Sequence, residues 1–224
     1  MNPLASEPVT VMPVERTDGT YALRLCLNQG ELSLGMMRRV MDVMAAHGLT
    51  TLRATTGQRM NLEGIPKDRL DEIVSTLGVA VEKCPPGVSV CPGRTQCKYG
   101  RQDTRGMGDR LTALIKANGP YPFKVKSGVS GCRMGCGLSF VRDIGLIAGT
   151  KGWELRFGGS ATRKPDAGIL LGKGLSEDDV LRIVRQALLY YKENGKKSER
   201  ISGMVRRRGH ETVAEELHSR LQRG

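Results

Sequence analysis

Four of the six cysteines form two pairs within a short part of the chain. "CPGRTQC" contains Cys91 and Cys97, and "SGCRMGCG" contains Cys132 and Cys136. Grouped thiolates bind metals, because deprotonated sulfur is a strong ligand for zinc and for iron. The first pair is spaced more widely than the C-x2–4-C pattern of zinc sites, whereas iron–sulfur clusters accept irregular spacings. A 4Fe–4S cluster, a zinc site and inert thiols therefore all stay open on these residues alone.

The residues around the cysteines suit a bound group. Glycine and proline flank both pairs, so that the backbone can come close to a ligand. The other two cysteines, Cys26 and Cys84, have no partner at ligand spacing. We expect each of them to be a small buried apolar side chain.

The charge composition is strongly basic, with 35 Lys and Arg against 23 Asp and Glu and a formal net charge of +12. Such an excess predicts a polyanionic partner, either a nucleic acid or a small ligand that carries many carboxylates. The chain has one Trp and three Phe, which leaves little material for stacking on bases. We therefore expect no nucleic-acid partner.

The chain shows no targeting or membrane pattern. No apolar run approaches the length of a membrane span. The start, "MNPLASEPVTVMP", lacks a basic segment followed by an apolar one. These observations predict a cytoplasmic protein with no membrane partner, in which grouped cysteines stay reduced and hold metal more often than they form disulfides.

The elements that must position these residues begin with a short strand and a helix. "TYALRLCL" alternates apolar and other residues, which predicts a half-buried strand with Arg24 on its polar face. "LSLGMMRRVMDVMAAHG" places Met37, Val40, Met41 and Met44 at helical spacing, and we expect this stripe to lie in the core.

The chain divides into two regions. "TTLRA" and "RMNLE" predict two further strands, and "PKDRLDEIVSTLG" predicts a second helix, so residues 20–83 form a βαββα unit after an N-terminal extension, 1–19. "CPPG" marks the boundary of a second, mixed α/β region, 84–205, which carries both cysteine pairs. A basic helical tail, 206–224, follows.

The cysteine pattern resembles a known family. C-x5-C, followed by K-x-K and then by S-G-C-x3-C-G, is similar to the sulfite and nitrite reductase haemoproteins, which bind sirohaem and a 4Fe–4S cluster. "LRLCLNQGELS", "TLRATTGQRMNLEGI" and "GGSATRKPDAGILLG" extend the resemblance over roughly residues 20–205. It implies an α+β fold: a ferredoxin-like half-domain (βαββα) followed by a three-layer α/β sirohaem/4Fe–4S domain.

The resemblance also implies cofactor ligands and a reaction. Cys91, Cys97, Cys132 and Cys136 would hold the 4Fe–4S cluster, and the Cys136 thiolate would also ligate the sirohaem iron. The activity implied is the multi-electron reduction of sulfite to sulfide, or of nitrite to ammonia. Sirohaem carries many carboxylates, which accounts for a basic chain without a nucleic acid.

The same resemblance carries substrate contact onto Arg24, Lys124 and Lys126. In "PFKVKSGV" the two lysines lie on one face of a predicted strand. Cations and proton donors suit a small oxyanion, because they bind its charge and stabilise the oxygen atoms that leave.

Further residues are implied to bind the cofactor. "TLRATTGQR" assigns Arg53, Thr55 and Gln58 to this role, with Gly57 standing where the family has a second arginine that Arg59 could replace. An anion-binding arginine that the family carries before its first cysteine is absent from "GVSV". Its candidate replacements are Arg94, which we assign to cofactor binding, and Arg101. The family's C-P-N-x-C is "CRMGC" here. None of the three histidines falls in a motif.

The implied partners follow from the chain's size. Larger family members contain two copies of the module that this chain contains once, so we expect a homodimer in which a second chain covers the open sheet edge. The alternative is a monomer in which the N-terminal segment, 1–19, covers that edge. No flavin or nicotinamide fingerprint is present, and we expect an external electron donor such as ferredoxin. Two other function classes stay open: a non-catalytic sirohaem or iron–sulfur carrier, and a zinc-binding nucleic-acid module.

Overall fold

The structure is a computed structural model that describes residues 9–223. The chain forms two compact units, of which the first ends at Pro85 and the second begins at Pro86. The first unit contains a sheet of order β1-β2-β4-β3, in which all neighbours are antiparallel. Its elements are β1 (Val11–Glu15), β2 (Tyr21–Leu25), α1 (Leu34–His47), β3 (Leu52–Ala54), β4 (Met60–Ile65) and α2 (Leu70–Leu77).

The predicted apolar face of β2 lies in the core of the first unit, although Ala22 and Cys26 of the other predicted face are buried too. Leu23, Leu25 and Leu27 are buried and pack against Val40 and Val43 of α1. The helix begins after Ser33, whose hydroxyl accepts the Met36 N–H, and ends at Gly48 in the left-handed region. Both ends lie where the sequence pattern predicts them.

The prediction that the methionine stripe of α1 is core is wrong for two of its members. Met37 and Met41 are 43% and 62% exposed, while Met44 packs against the core. Val40 and Val43 face the sheet, and in a helix of 3.6 residues per turn Met37 and Met41 fall on the flank of that face.

One strand lies outside the predicted half-domain. Val11–Glu15 forms β1, whose register with β2 runs from Val11 opposite Leu25 to Glu15 opposite Tyr21. The edge next to β2 is therefore filled by the chain's own N-terminal segment. The opposite edge is β3, all three residues of which are exposed.

The second unit is built on a five-stranded sheet of order β5-β6-β7-β8-β9. The first three strands are parallel and the last three antiparallel, and the mixed α+β class is confirmed. Its elements are β5 (Gly87–Val90), α3 (Gly93–Gln96), α4 (Thr104–Ala117), β6 (Lys126–Ser130), β7 (Ile144–Gly149), β8 (Gly152–Phe157), β9 (Ile169–Leu175), α5 (Glu177–Asn194), α6 (Ile201–Arg208) and α7 (His210–Arg223).

The core of the second unit lies between this sheet and its helices. α4 packs on β5 and β6, and α5 packs on β8 and β9. Trp153, Phe157 and Tyr191 are the largest fully buried side chains. Within the described part of the chain, every helix is too short or too polar to cross a bilayer.

Candidate functional site

Both cysteine pairs lie beyond the carboxyl ends of neighbouring parallel strands. Cys91 directly follows β5, and Cys132 lies two residues beyond the end of β6. Because parallel strands place their carboxyl ends at one edge of a sheet, the two loops meet there. Cys91, Cys97, Cys132 and Cys136 line a single pocket that opens to solvent.

Glycines let the backbone close in behind the thiols. A Cβ at Gly131 would lie 3.0 Å from the Gly93 Cα and 3.4 Å from the Cys91 Sγ, so no other residue fits there without movement. The Gly131 N–H donates to the Cys91 Sγ at 3.0 Å, and the Thr104 hydroxyl donates to the Cys91 carbonyl at 2.7 Å. These contacts fix the position of Cys91.

The donor set fits a multi-iron cluster. Among the residues that the structure describes, no three His, Cys, Asp or Glu side chains are grouped closely enough for one metal ion. Tetrahedral zinc needs its ligands around a single centre, whereas a 4Fe–4S cluster takes one thiolate at each of four corners. Four thiols around one open cavity match the second requirement.

The loop between Cys132 and Cys136 is held by an ion-pair network. Arg133 lies 2.9 Å from Glu154, which also lies 2.7 Å from Arg156 on the same strand, β8. Burial opposes ionisation of Glu154, but the two guanidinium groups hold the pKa of its carboxyl below its usual value. Where the family has C-P-N-x-C, this chain has "CRMGC", and the arginine of this sequence, Arg133, pairs with the buried Glu154.

The two predicted substrate lysines lie at the amino end of β6. Lys126 begins the strand, and Lys124 precedes it with its ammonium 5.3 Å from the centre of the Phe123 ring. The Lys126 N–H donates to the buried Asp143 carboxylate at 2.8 Å, and Arg200 pairs with the same carboxylate at 2.5 Å.

Positive charge accumulates around Lys126. Burial lowers the pKa of the Lys126 ammonium, and the charges of Arg142, Arg200 and Lys124 lower it further. Burial also raises the pKa of Asp143, against the opposing effect of Arg200. The group of cations is therefore only partly neutralised by its own carboxylate, as expected of a site for an anion.

The cysteines and the lysines lie at opposite ends of the same strand. Lys126 begins β6, and Ser130 ends it two residues before Cys132. At ~3.3 Å per residue, the strand separates the two sets by about 13 Å. A ligand that contacts both has to be considerably larger than sulfite or a metal ion.

The first unit contains a second pair of cations. Arg24 is half-buried on β2, where its Nε donates to the Asn61 side chain at 3.1 Å. The Arg59 guanidinium donates to the Pro85 carbonyl at 2.5 Å. Burial and the neighbouring Arg24 lower the pKa of Arg59. Arg59 thus lies close to a predicted substrate residue and next to the position of the missing family arginine, Gly57.

Three predicted cofactor contacts lie in and beside the β3–β4 turn. Arg53 is exposed on β3, 3.3 Å from Glu63. The Thr55 hydroxyl accepts the Arg59 N–H at 3.1 Å, and Gln58 adopts a left-handed φ of 56°. The contacts of Thr55 and the conformation of Gln58 serve the turn itself, and their role toward a cofactor stays a prediction.

Two arginines were candidates for the missing anion-binding position. Arg94 lies in α3 between the first two cysteines, and its N–H donates to the Gln102 carbonyl at 3.1 Å. The Arg101 N–H donates to the Gly131 carbonyl at 2.8 Å. Both side chains are exposed beside the cysteine cavity. A further cation near Lys126, Arg142, lies in no motif, and the sequence analysis therefore did not identify it as a candidate anion-binding residue.

The expectation that Cys26 and Cys84 are separate, small buried apolar side chains is wrong. The two form a disulfide within the first unit, with Cα atoms 5.1 Å apart and 58 residues between them in sequence. Cys26 follows β2, and Cys84 follows a segment in which Val81 bridges to Val11 of the adjacent β1. The pairing depends on this tertiary contact, which sequence spacing does not reveal.

Comparison with known proteins identifies the family. Residues 82–223 match the nitrite and sulphite reductase 4Fe-4S domain, and residues 14–80 match the nitrite/sulfite reductase ferredoxin-like half domain. The chain belongs to the nitrite and sulfite reductase family and is an oxidoreductase. The 4Fe–4S cluster and sirohaem expected from the cysteine pattern are the cofactors of this family.

Individual relatives differ in length. The chain is 33% identical to the assimilatory-type sulfite reductase of Nitratidesulfovibrio vulgaris, over 89% of this chain and 93% of that protein. It is 32% identical to the NAD(P)H nitrite reductase of Bacillus subtilis, over 86% of this chain and 24% of the relative.

Solved structures share the fold. The Mycobacterium tuberculosis NirA protein has a TM-score of 0.71 at 20% identity and covers 95% of this chain, which corresponds to 42% of NirA. Dissimilatory sulfite reductase I has a TM-score of 0.68 at 15% identity, over 88% of this chain and 69% of that chain.

Proposed function

We propose that the protein reduces sulfite to sulfide at a sirohaem coupled to a 4Fe–4S cluster through the Cys136 thiolate. The observation that carries this proposal is the single cavity lined by Cys91, Cys97, Cys132 and Cys136 at one edge of the sheet. Sulfite is favoured over nitrite because the sulfite reductase relative matches over 93% of its length, while the Bacillus subtilis nitrite reductase matches over 24%.

The exposure of the four thiols supports Cys136 as the bridge. Cys136 is exposed, whereas Cys91, Cys97 and Cys132 are half-buried. A thiolate that ligates two groups has to be accessible from both sides. When bound, the cluster and sirohaem would relay to sulfite the six electrons that its reduction requires, and the external electron donor would supply them.

The lysines at the amino end of β6 have the chemistry of an oxyanion site. Lys124 and Lys126 carry the charge that attracts sulfite, and their ammonium groups are proton donors for oxygen atoms that leave as water. Burial and neighbouring cations lower the pKa of Lys126, which makes its ammonium a stronger acid. Arg24 is assigned to substrate binding as well, because its segment resembles the corresponding segment of the family.

The remaining contacts are assigned to the cofactor. Arg53, Thr55, Gln58 and Arg94 are proposed to contact sirohaem, as the resemblance implies. The separation of about 13 Å along β6 is consistent with a large tetrapyrrole that reaches from the thiols toward the lysines. The external electron donor is a low-potential carrier such as ferredoxin, the active species is a homodimer, and the compartment is the cytoplasm.

Anaerobic turnover with reduced methyl viologen tests the proposal. Protein that carries both cofactors is expected to reduce sulfite to sulfide with a higher kcat/KM than for nitrite. Higher kcat/KM for nitrite would reassign the substrate. Full sirohaem absorption without turnover of either anion would favour the non-catalytic carrier, and a colourless zinc-loaded protein would contradict both.

A further inference from the structure

Arg142 carries a buried hydrogen-bond donor that the protein does not use. The residue follows a short 3₁₀ helix (Ser139–Val141) and lies two positions before the start of β7. Its side chain is half-buried, and its Nε is enclosed without a hydrogen-bond partner. A buried unpaired donor destabilises the folded protein, and more strongly when the group is charged. A bound acceptor would remove this cost.

The carboxylate next to Arg142 is already occupied. Asp143 accepts the Lys126 N–H at 2.8 Å and two bonds from Arg200, at 3.3 and 2.5 Å. Because β6 and β7 are parallel with Ser127 opposite Ile144, Lys126 and Asp143 meet at the amino ends of the two strands. Three cations, Lys126, Arg142 and Arg200, therefore lie near one buried carboxylate, which already accepts three hydrogen bonds.

The three cations repel one another in this arrangement. Burial lowers the pKa of Arg142, and the charge of Arg200 lowers it further. The charges of Arg142 and Arg200 also lower the pKa of the Lys126 ammonium. Like charges are held together in a protein at a cost, which an anion with several acceptor oxygens offsets.

We propose that Arg142 binds an oxyanion through its Nε, together with Lys126 and Arg200. A guanidinium presents parallel N–H groups that match a carboxylate or another planar oxyanion. This inference rests on the proposed function, which supplies two sources of such a group: a sirohaem carboxylate and the sulfite substrate.

Arg142→Gln tests the inference on the cofactor-loaded protein, with Lys151→Gln as the matched control. Lys151 is an exposed cation in the turn between β7 and β8 of the same unit. The measurements are the sirohaem absorbance per chain after purification and the KM for sulfite. The control is expected to keep wild-type values for both.

The two sources give different results. A sirohaem carboxylate predicts that Arg142→Gln loses most of its sirohaem, while the loaded fraction keeps its KM. Bound sulfite predicts full sirohaem content and a KM raised by about 10-fold or more, as for a lost charge-assisted hydrogen bond. Wild-type sirohaem content together with wild-type KM would overturn the inference.

Two further measurements keep the test decisive. If Arg142→Gln does not fold, Arg142→Lys replaces it, because lysine retains the charge and lacks the Nε donor. A sirohaem content and a KM that both equal the wild-type values in Arg142→Lys would overturn the role of the Arg142 Nε. If the wild-type protein holds sirohaem but reduces neither anion, the proposed function fails, and the sirohaem content of Arg142→Gln still decides the inference.

Discussion

Arg133 and Glu154 form an ion pair of 2.9 Å that ties the loop between Cys132 and Cys136 to β8. The partners differ in environment, since the Arg133 side chain is 69% exposed and that of Glu154 is 8% exposed. Glu154 keeps Arg156 as a second partner. Arg133 therefore restrains the loop while Glu154 stays paired without it.

Arg133→Ala is expected to loosen the loop between Cys132 and Cys136 while changing the free energy of unfolding of the protein only slightly. An exposed arginine contributes about 0–1 kcal/mol to the free energy of unfolding, so urea unfolding should change little. The freed loop should expose the cluster thiolates, and the iron–sulfur absorbance should decay faster in the presence of an iron chelator. Arg110→Ala, which breaks an exposed ion pair with Glu177, is the control; equal decay rates in the two variants would contradict the restraint.

Cys136→Ser is expected to remove sirohaem from the protein. Serine oxygen is a poorer ligand than thiolate, so the proposed bridge and the electronic coupling should both be lost. The measurements are the visible absorption and iron content of the purified variant. A fully coloured, active Cys136→Ser protein would exclude the bridging role.

The double variant Cys26→Ser/Cys84→Ser is the matched control for that experiment. It removes a disulfide between residues 58 positions apart, which is expected to lower the free energy of unfolding by about 2–4 kcal/mol. Both cofactors should remain, because neither Cys26 nor Cys84 lines the cavity of the four proposed cluster ligands.

Lys124→Met and Lys126→Met should each reduce turnover by about 10²-fold or more while leaving sirohaem absorption intact. Each removes an ammonium proposed to stabilise transition-state charge or to supply a proton. Steady-state kinetics with sulfite measures the effect. Lys116→Met, on the exposed face of α4, is the control, and turnover equal to it in both variants would make them ordinary surface lysines.

The elements that depend on local pattern could be predicted from the sequence. α1 and α5 begin after Ser33 and Ser176, whose side chains accept N–H groups of the first turn, as capping predicts. β1 was not predicted because Pro13 interrupts its pattern, and the structure accommodates this proline in an edge strand, where the missing N–H is tolerated.

Features that depend on distant contacts could not be predicted. Cys26 and Cys84 are joined across 58 residues, and Arg200 reaches Asp143 across 57. Arg142 lies near this pair of Arg200 and Asp143, so its surroundings could not be predicted from the sequence either. The cysteine spacing pointed to a shared site, but only the parallel pairing of β5 and β6 explains why both loops reach one cavity.

The homodimer stays a prediction, but the sheet edge that a second chain would cover is now β3. β1 fills the edge beside β2, so the open edge is β3, whose exposed residues leave backbone groups unpaired. Pairing about a two-fold axis would satisfy them. Light scattering on the cofactor-loaded protein should give about twice the chain mass of 24.4 kDa. A mass near 24.4 kDa at every concentration would exclude the dimer.

The ion pair between Glu199 and Arg207 should make stability depend on pH in the acid range. Arg207 donates to both Glu199 oxygens at 2.8 Å, and this bond lowers the pKa of the Glu199 carboxyl from 4.5 to about 2. A pKa depressed in the folded state means that the stabilisation is full above pH 4.5 and is lost as the pH falls toward 2.

Thermal unfolding of wild type and Glu199→Gln between pH 7 and pH 3 tests this dependence. The Tm difference should be largest at neutral pH, where the partly exposed pair contributes up to about 1 kcal/mol. It should narrow as the pH falls below 4.5, because Glu199 of the unfolded wild-type chain then binds a proton that the folded protein, with its lower pKa, does not. Glu215→Gln, on an exposed position of α7, is the control. A Tm difference for Glu199→Gln that is equally large at pH 7 and pH 3 would mean that the pair does not set the acid response.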